Sequence, residues 1–496
     1  MGLNSKIIFH IMGLLLLFNG LFMLLAALMS IVYNDGATLD ITLASIVSMF
    51  TGGAFMFSTR DHKKEVKRKE GYIIVTFGWI VMSISGMLPY LFSGAIPDTT
   101  NAFFETVSGY TTTGASILDD IEALPEGILF WRSMTHWIGG MGIIVLAIAI
   151  LPLLGIGGMQ LYAAEAPGPS ADKLHPRITD TAKRLWYIYF GYTLAETLLL
   201  KLAGMSFFDA INHAMATLST GGFSTKNASL AYWNDQPLIQ YIVMFFMFLA
   251  GSNFVLSYFA FKGKVQRIIK DEEFKYYTAF VVLFTVLVAL VVYFNANVQV
   301  SEYHPMVLGP GESAFRHSLF QVLSVITTTG FVTADFTAWT PFLTVFFFGL
   351  MFLGGSAGST AGGIKVMRHL LIIKNGLLEF RRTLHPNAII PVRYNDKTVK
   401  EHIVYNIIAF FVLYMLLFII GSLGLGAMGL DFVSAIGGAA SSLGNVGPAF
   451  GSLSPLLNFN SLPDIGKWWC GFLMLAGRLE LFTVLILLTP YFWKRT

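Results

Sequence analysis

The chain has 496 residues, of which 55% are hydrophobic and 12% charged, with a mean hydropathy of +0.66. A soluble domain carries about 25% charged residues, so this composition excludes one and predicts an all-α polytopic membrane protein. The small formal charge of +3 gives no case for nucleic-acid binding, and the lone Cys470 excludes an intramolecular disulfide.

A helix needs ~20 apolar residues to cross a bilayer. Residues 7–33 and 41–58 are the first two such runs. The first is longer than a signal-peptide core and lacks a small-residue cleavage site, so it reads as a retained helix. Four pairs of runs follow: 72–92 with 128–154, 185–202 with 239–261, 276–294 with 342–364, and 403–423 with 468–492. Between the members of each pair lies a shorter run, at 102–109, 207–218, 314–326 and 431–443. These are too short to span and suit re-entrant half-helices.

Each short run ends in a related loop. The clearest is Val325-Ile326-Thr327-Thr328-Thr329-Gly330-Phe331, followed by Gly109-Tyr110-Thr111-Thr112-Thr113-Gly114. Thr217-Leu218-Ser219-Thr220-Gly221-Gly222-Phe223 and Leu443-Gly444-Asn445-Val446-Gly447-Pro448 are looser copies. With Gly114, Gly221, Gly330 and Gly447 taken as equivalent, the interval is roughly 110 residues, a repeat signature. One such loop reads equally well as a polar turn between helices; four at one interval favour four repeats around an axis. The chain thus divides into two N-terminal helices (1–70) and repeats over 71–184, 185–275, 276–402 and 403–496. Only glycine accepts positive φ without a Cβ clash, so each loop can aim successive carbonyls one way. A ring of carbonyls that replaces an ion's hydration shell is the principle of a potassium filter. The expected ligands are the carbonyls of Thr112, Thr113, Ser219, Thr220, Thr328, Thr329, Asn445 and Val446, shaped by the four glycines.

Cytoplasmic loops carry the excess of Lys and Arg. Arg60, Lys63, Lys64, Lys67, Arg68 and Lys69 crowd one connection, and basic residues recur between repeats, from Lys173 to Arg184, Lys262 to Lys275 and Lys365 to Lys400. The glycine-loop segments hold little positive charge, so they are expected outside, with both termini cytoplasmic. Asp98, Glu105, Asp119, Asp120, Glu122 and Glu126 make the first segment acidic, which would enrich cations at the mouth.

The four-fold plan of helix, half-helix and helix, with one glycine per repeat, resembles the Trk, Ktr and HKT superfamily of potassium transporters over nearly the whole chain. The two extra N-terminal helices and the motif His136-Trp137-Ile138-Gly139-Gly140-Met141-Gly142 resemble the membrane subunits of bacterial Trk systems. The resemblance implies a multi-pass homodimer in the bacterial inner membrane, with one pore per subunit and K+ as the transported ion. It also implies no cofactor bound by the chain, and control by a cytoplasmic nucleotide-binding subunit that senses NAD or ATP. Family filters that prefer K+ keep glycine in all four repeats, as here.

Gly354 to Gly363 is a run of ten small residues with five glycines, weak in helix propensity. It starts ~20 Å down the third repeat's second helix at 1.5 Å per residue. Close helix packing through small residues is one reading. The resemblance implies an intramembrane gate, formed by Gly354, Gly355, Ser356, Gly358, Gly362 and Gly363 with Arg478. Free carbonyls of an unwound loop would suit this guanidinium, which has five donors and is costly at membrane depth unless paired. Gly354-x-Ser356-x-Gly358 also matches a hydrolase elbow, and Gly424-x-Gly426-x-x-Gly429 a dinucleotide fingerprint. Both lack the strand that those motifs require. Glu196 is a further intramembrane charge, with Lys201 nearby in sequence.

The leading reading is K+ uptake through a gated, channel-like pore; the alternative is a K+ symporter coupled to Na+ or H+, for which Glu196 alone speaks, and an intramembrane hydrolase built on Ser356 is a third.

Overall fold

The computed structural model describes residues 3–61, 67–145, 178–295 and 307–494. The end of the expected 128–154 span and the basic residues Lys63, Lys64, Lys173 and Arg177 lie outside the described residues.

The chain opens with two long antiparallel helices, Ser5–Tyr33 and Thr38–Ser58. They meet backbone to backbone at Gly13 and Gly52, where a Cβ on either would stand 2.6 Å from the other's carbonyl oxygen. Glycine permits that approach, which is how apolar helices associate in lipid.

Four units follow, each a membrane helix, a half-helix and a second helix. The first helices are Lys69–Phe92, Ile178–Leu202, Glu272–Asn295 and Glu401–Ala427. The half-helices are Thr99–Tyr110, Phe207–Leu218, Pro310–Ile326 and Phe432–Gly444. Local sequence starts each of them. Asp98, Ser206 and Asp431 accept N–H bonds from Asn101, Asp209 and Ser434, and Pro310 occupies a first-turn position, where no donor is lost.

The second helices differ most from expectation. Glu126–Val145 is continuous as far as it is described. Residues 239–261, expected as one span, form Pro237–Gly251 and Phe254–Phe261 at 107° to each other. Residues 468–492 likewise divide into Asp464–Arg478 and Phe482–Leu488 at 112°. Their breaks have local causes: Ser252 is extended and Asn253 caps a new helix, while Glu480 and Leu481 take left-handed φ of 57° and 45°. In the third unit Pro341–Leu350 and Val366–Leu384 are separated by the glycine run. Apolarity sees none of these breaks, because the residues around them stay hydrophobic.

The units close on one another. The second half-helix packs on Glu126–Val145, the third on Pro237–Gly251 and the first on Asp464–Arg478. The fourth meets the third unit where a Cβ on Gly444 would stand 3.0 Å from the Met351 carbonyl. A two-residue β-hairpin, Arg393–Tyr394 with Lys397–Thr398, holds the only paired strands among the described residues.

Candidate functional site: four glycine loops and the loop beneath them

The half-helices end alike. Thr113, Gly221, Thr329 and Val446 donate their N–H groups to Ser108, Ala216, Ser324 and Ser441 at 2.8–3.0 Å. This closure needs left-handed backbone one residue earlier, and Thr112, Thr220, Thr328 and Asn445 have φ of 52°, 55°, 54° and 53°. Two residues later φ is again positive, at 80°, 78°, 79° and 99° for Gly114, Gly222, Gly330 and Gly447. Alternating handedness turns successive carbonyls toward the same side.

The register in the second unit therefore differs from that expected. Gly222, not Gly221, is the equivalent of Gly114, and both first intervals become 108 residues (222 − 114 and 330 − 222). Gly221 corresponds to Thr113, and Ser219 to Thr111 and Thr327. The Ser219 hydroxyl bonds back to the Met215 carbonyl at 2.7 Å. The doubled glycine admits two alignments; the shared Gly-Phe pair at Gly222-Phe223 and Gly330-Phe331 was the available sequence signal, and backbone handedness decides between them.

The four loops form a closed ring. A Cβ on Gly114 would strike the Gly221 carbonyl oxygen, one on Gly222 that of Thr329, and one on Gly330 that of Val446. One on Gly447 would stand 2.6 Å from the Thr113 oxygen. Each glycine thus makes room for the carbonyl of the next unit. Asn445 Nδ2 joins the fourth loop to the first through Thr113 Oγ1 at 3.0 Å. No donor among the described residues bonds to the carbonyls of Thr113, Gly221, Thr329 or Val446.

Directly against this ring lies the run 354–363, which is not helical. Gly358 and Gly363 have φ of 75° and 64°. Its ends are pinned by Gly354 N to Ile364 O at 2.8 Å and Val366 N to Gly355 O at 3.1 Å. Glu273 holds it from the first helix of its unit, accepting from Ala357 N at 2.6 Å and Met367 N at 3.3 Å. Ser356 N bonds the Gly251 carbonyl at the break in the second unit. Gly362 N donates to Thr328 Oγ1 at 2.6 Å, and Thr360 Oγ1 to the Leu218 carbonyl at 2.9 Å. Arg478 donates to the Thr360 carbonyl at 2.8 Å and to that of Gly139 at 3.3 Å. Lys365 caps the Ala361 carbonyl, and Arg368 pairs with Glu480 while lying 3.9 Å over the Phe410 ring. Non-helical backbone at membrane depth is tolerated where protein satisfies it; here the side chains of Glu273, Thr328, Lys365 and Arg478 do so.

A family model described as a cation transport protein, TrkH, matches residues 38–494. The chain belongs to the TrkH family. It is 42% identical to the Trk system potassium uptake protein TrkH of Escherichia coli K12, over 99% of this chain and all of the relative. The Vibrio parahaemolyticus protein of the same name is likewise 42% identical with the same coverage. The crystal structure of the potassium transporter TrkH from Vibrio parahaemolyticus superposes with a TM-score of 0.88 at 39% identity, covering 99% of this chain and all of that one. These relatives are transport components, not enzymes.

Within this TrkH-family chain, the motif at His136 acquires a physical reason. A Cβ on Gly139 would overlap the Tyr110 carbonyl, and one on Gly140 would stand 2.7 Å from Ser219 Cα. The second helix of the first unit therefore rests on two glycine loops at once. The His136 ring stacks on Phe223 with centroids 3.9 Å apart.

Sequence reading missed the polar residues behind the loops. Glu105, expected at an acidic mouth, is buried and paired with Arg132 at 2.6 Å. Arg316, a positive charge within the third short run, is buried between Glu312, Gln240 and the Asn234 carbonyl. Charge inside an apolar run was the available signal. Lys365 and Arg368, read as part of a cytoplasmic basic surface, are buried against the loop. Glu196 is fully buried and forms no ion pair among the described residues; Lys201 is exposed.

Proposed function

We propose that this chain is the membrane subunit of a potassium uptake system, passing K+ through a gated, channel-like pore along the axis of the four loops. The carbonyls of Thr112, Thr113, Thr220, Gly221, Thr328, Thr329, Asn445 and Val446 coordinate the ion. Gly114, Gly222, Gly330 and Gly447 hold that ring open. The observation that carries the reading is the closed circle in which each glycine abuts the next unit's carbonyl. Passive conduction suffices for accumulation, since ~2.3 kcal/mol per charge per 100 mV corresponds to roughly fifty-fold.

Residues 354–363 and Arg478 form the gate. The loop bridges the second, third and fourth units against the ring, and the buried cation repels K+ while the loop is in place. The subunit is a homodimer in the bacterial inner membrane with both termini cytoplasmic, and a nucleotide-binding partner moves the loop from the cytoplasmic side. One observation favours a coupled symporter as second reading: Glu196 is buried without an ion-pair partner among the described residues, as a proton relay would require.

Current through purified protein in a planar bilayer tests the reading. Gly114→Ser is expected to lower the K+ to Na+ permeability ratio about tenfold, as an overlap of ~1.4 kcal/mol in ion binding would give. An unchanged ratio would remove the loops from the filter role. Glu196→Gln leaves the reversal potential at the K+ value for a channel; a symporter would lose its dependence on the coupling ion.

A further inference from the structure

Behind three of the four loops the same position carries a polar side chain of different chemistry. Nine residues before Gly114, Gly222 and Gly330 stand Glu105, His213 and Gln321, all fully buried. Each reaches from its half-helix to the segment that leaves the ring. Glu105 accepts from Ser116 Oγ and Ile117 N, both at 3.0 Å. His213 meets Ser224 Oγ at 2.9 Å. Gln321 Nε2 donates to Thr333 Oγ1 at 3.3 Å, beside His317 Nδ1 at 3.0 Å from the same oxygen. The fourth unit has Gly438 at this position, where a Cβ would stand 2.9 Å from Leu453. Its outgoing segment is held from other positions of the half-helix: Ser441 Oγ donates to the Gly447 carbonyl at 2.7 Å, and Ser434 Oγ accepts from Ser452 N at 2.8 Å.

The chemistry at each site is determined by its surroundings. His213 Nδ1 lies 2.8 Å from the Asp209 carbonyl, which can only accept, so Nδ1 bears the proton and Nε2 accepts from the Ser224 hydroxyl. The Ser224 oxygen in turn accepts from Lys226 N at 3.0 Å. Glu105 is neutralised by Arg132, whose Nη1 continues to the Ser224 carbonyl at 2.9 Å and whose guanidinium lies 3.5 Å over Phe223. The first brace is thereby tied to the second loop.

We infer that Glu105, His213 and Gln321 are positioning residues that keep the ring from closing around a smaller ion, and so determine selectivity without touching the ion. The inference rests on the filter reading above. A carbonyl ring favours the larger cation only while it resists contraction, whether through its size or its dipole field. Each loop leaves its half-helix through strained left-handed backbone, and the brace fixes its far end. A loop held at both ends cannot slide inward. The units are therefore unequal: the first carries a charged, three-bond brace at this position, whereas the fourth has no side chain there and relies on serines elsewhere on its half-helix.

The test compares permeability ratios from reversal potentials of the purified full-length protein in planar bilayers with K+ and Na+ on opposite sides. His213→Leu removes the acceptor, and Ser224→Ala removes the same bond from its other end, so the second serves if the first does not fold. Each is expected to lower the K+ to Na+ ratio roughly fivefold, on the order of one lost buried hydrogen bond. His213→Gln retains an acceptor and should stay within about twofold of wild type. Gly222→Ala is recorded alongside. Wild-type ratios in His213→Leu and Ser224→Ala, with a changed ratio in Gly222→Ala, would overturn the brace and leave the filter standing. An unchanged ratio in Gly222→Ala as well would overturn the filter itself. Loss of selectivity in His213→Gln equal to that in His213→Leu would show that packing, not the hydrogen bond, matters at this position.

Discussion

Thr112, Thr220 and Thr328 hold left-handed backbone that a β-branched residue enters at a cost of roughly 1–3 kcal/mol. Such strain persists only where the surroundings over-determine it, and each of these residues lies between a half-helix closure and a glycine that admits the neighbouring carbonyl. The two glycines of the second unit have different duties. Gly222 makes room for Thr329 O, whereas a Cβ on Gly221 would enter the His136 ring. Gly221→Ala should therefore destabilise the protein by ~1–3 kcal/mol through overpacking, and adding His136→Ala should restore most of the melting temperature. Gly222→Ala has no such suppressor at His136; if it too is rescued there, the assigned register is wrong. Arg132 and Glu105 form a buried pair, so Arg132→Met leaves a lone carboxylate and should cost ~3–5 kcal/mol. Glu105→Leu in the same chain should recover much of that loss, which a thermal-shift series in detergent would measure.

At the scale of elements, three of the four units converge on one loop. Gly251, Glu273 and Arg478 each supply it with a bond, from the second, third and fourth units respectively. Removing one anchor leaves the others, so the loop should loosen without unfolding the protein. Glu273→Ala deletes two hydrogen bonds to a carboxylate, each worth ~1.5–3 kcal/mol, and is expected to raise flux without the partner by at least about tenfold. Arg478→Ala removes both an anchor and the charge that the proposed gate places in the path, so its effect should be larger. Rubidium uptake into proteoliposomes checks both; variants that fold, insert and leak no more than wild type would make the loop packing only. Thr328 accepts from Gly362 N at 2.6 Å, so loop release also frees a residue of the ring. Thr328→Val should accordingly raise basal flux and alter selectivity together.

For the molecule as a whole, the exposed basic surface is narrower than charge alone suggested. Lys365 and Arg368 are inside, and Arg382 is engaged by Asn375, Glu379 and the Ile390 carbonyl. Arg381, Arg393, Lys397 and Lys400 remain exposed around the β-hairpin. If the regulatory partner docks there, reversing Arg381, Lys397 and Lys400 to Glu should weaken its binding by tenfold or more and steepen with falling salt, because exposed charge pairs are screened. Binding of undiminished affinity in a pull-down titration would place the partner elsewhere.

The sequence by itself determined the membrane class, the four-unit plan and three of the four ring glycines. These follow from what a stretch contains: apolar length fixes a span, and Thr-Thr-Thr-Gly fixes a turn that only glycine completes. It also placed Arg478 against an unwound stretch, since a deep guanidinium needs carbonyls that a continuous helix does not release. Tertiary structure decided the register at Gly221-Gly222, because two adjacent glycines admit two alignments until a neighbouring carbonyl claims one of them. It alone showed the breaks at Ser252 and Leu479, because Ser252-Asn253 and Arg478 with Glu480 interrupt otherwise apolar runs without saying that the backbone turns there. The braces at Glu105, His213 and Gln321 were equally hidden. A carboxylate, an imidazole and an amide share a spacing of nine residues from the ring glycine but no residue type, and only the fold shows that each meets a hydroxyl on the far side of its loop.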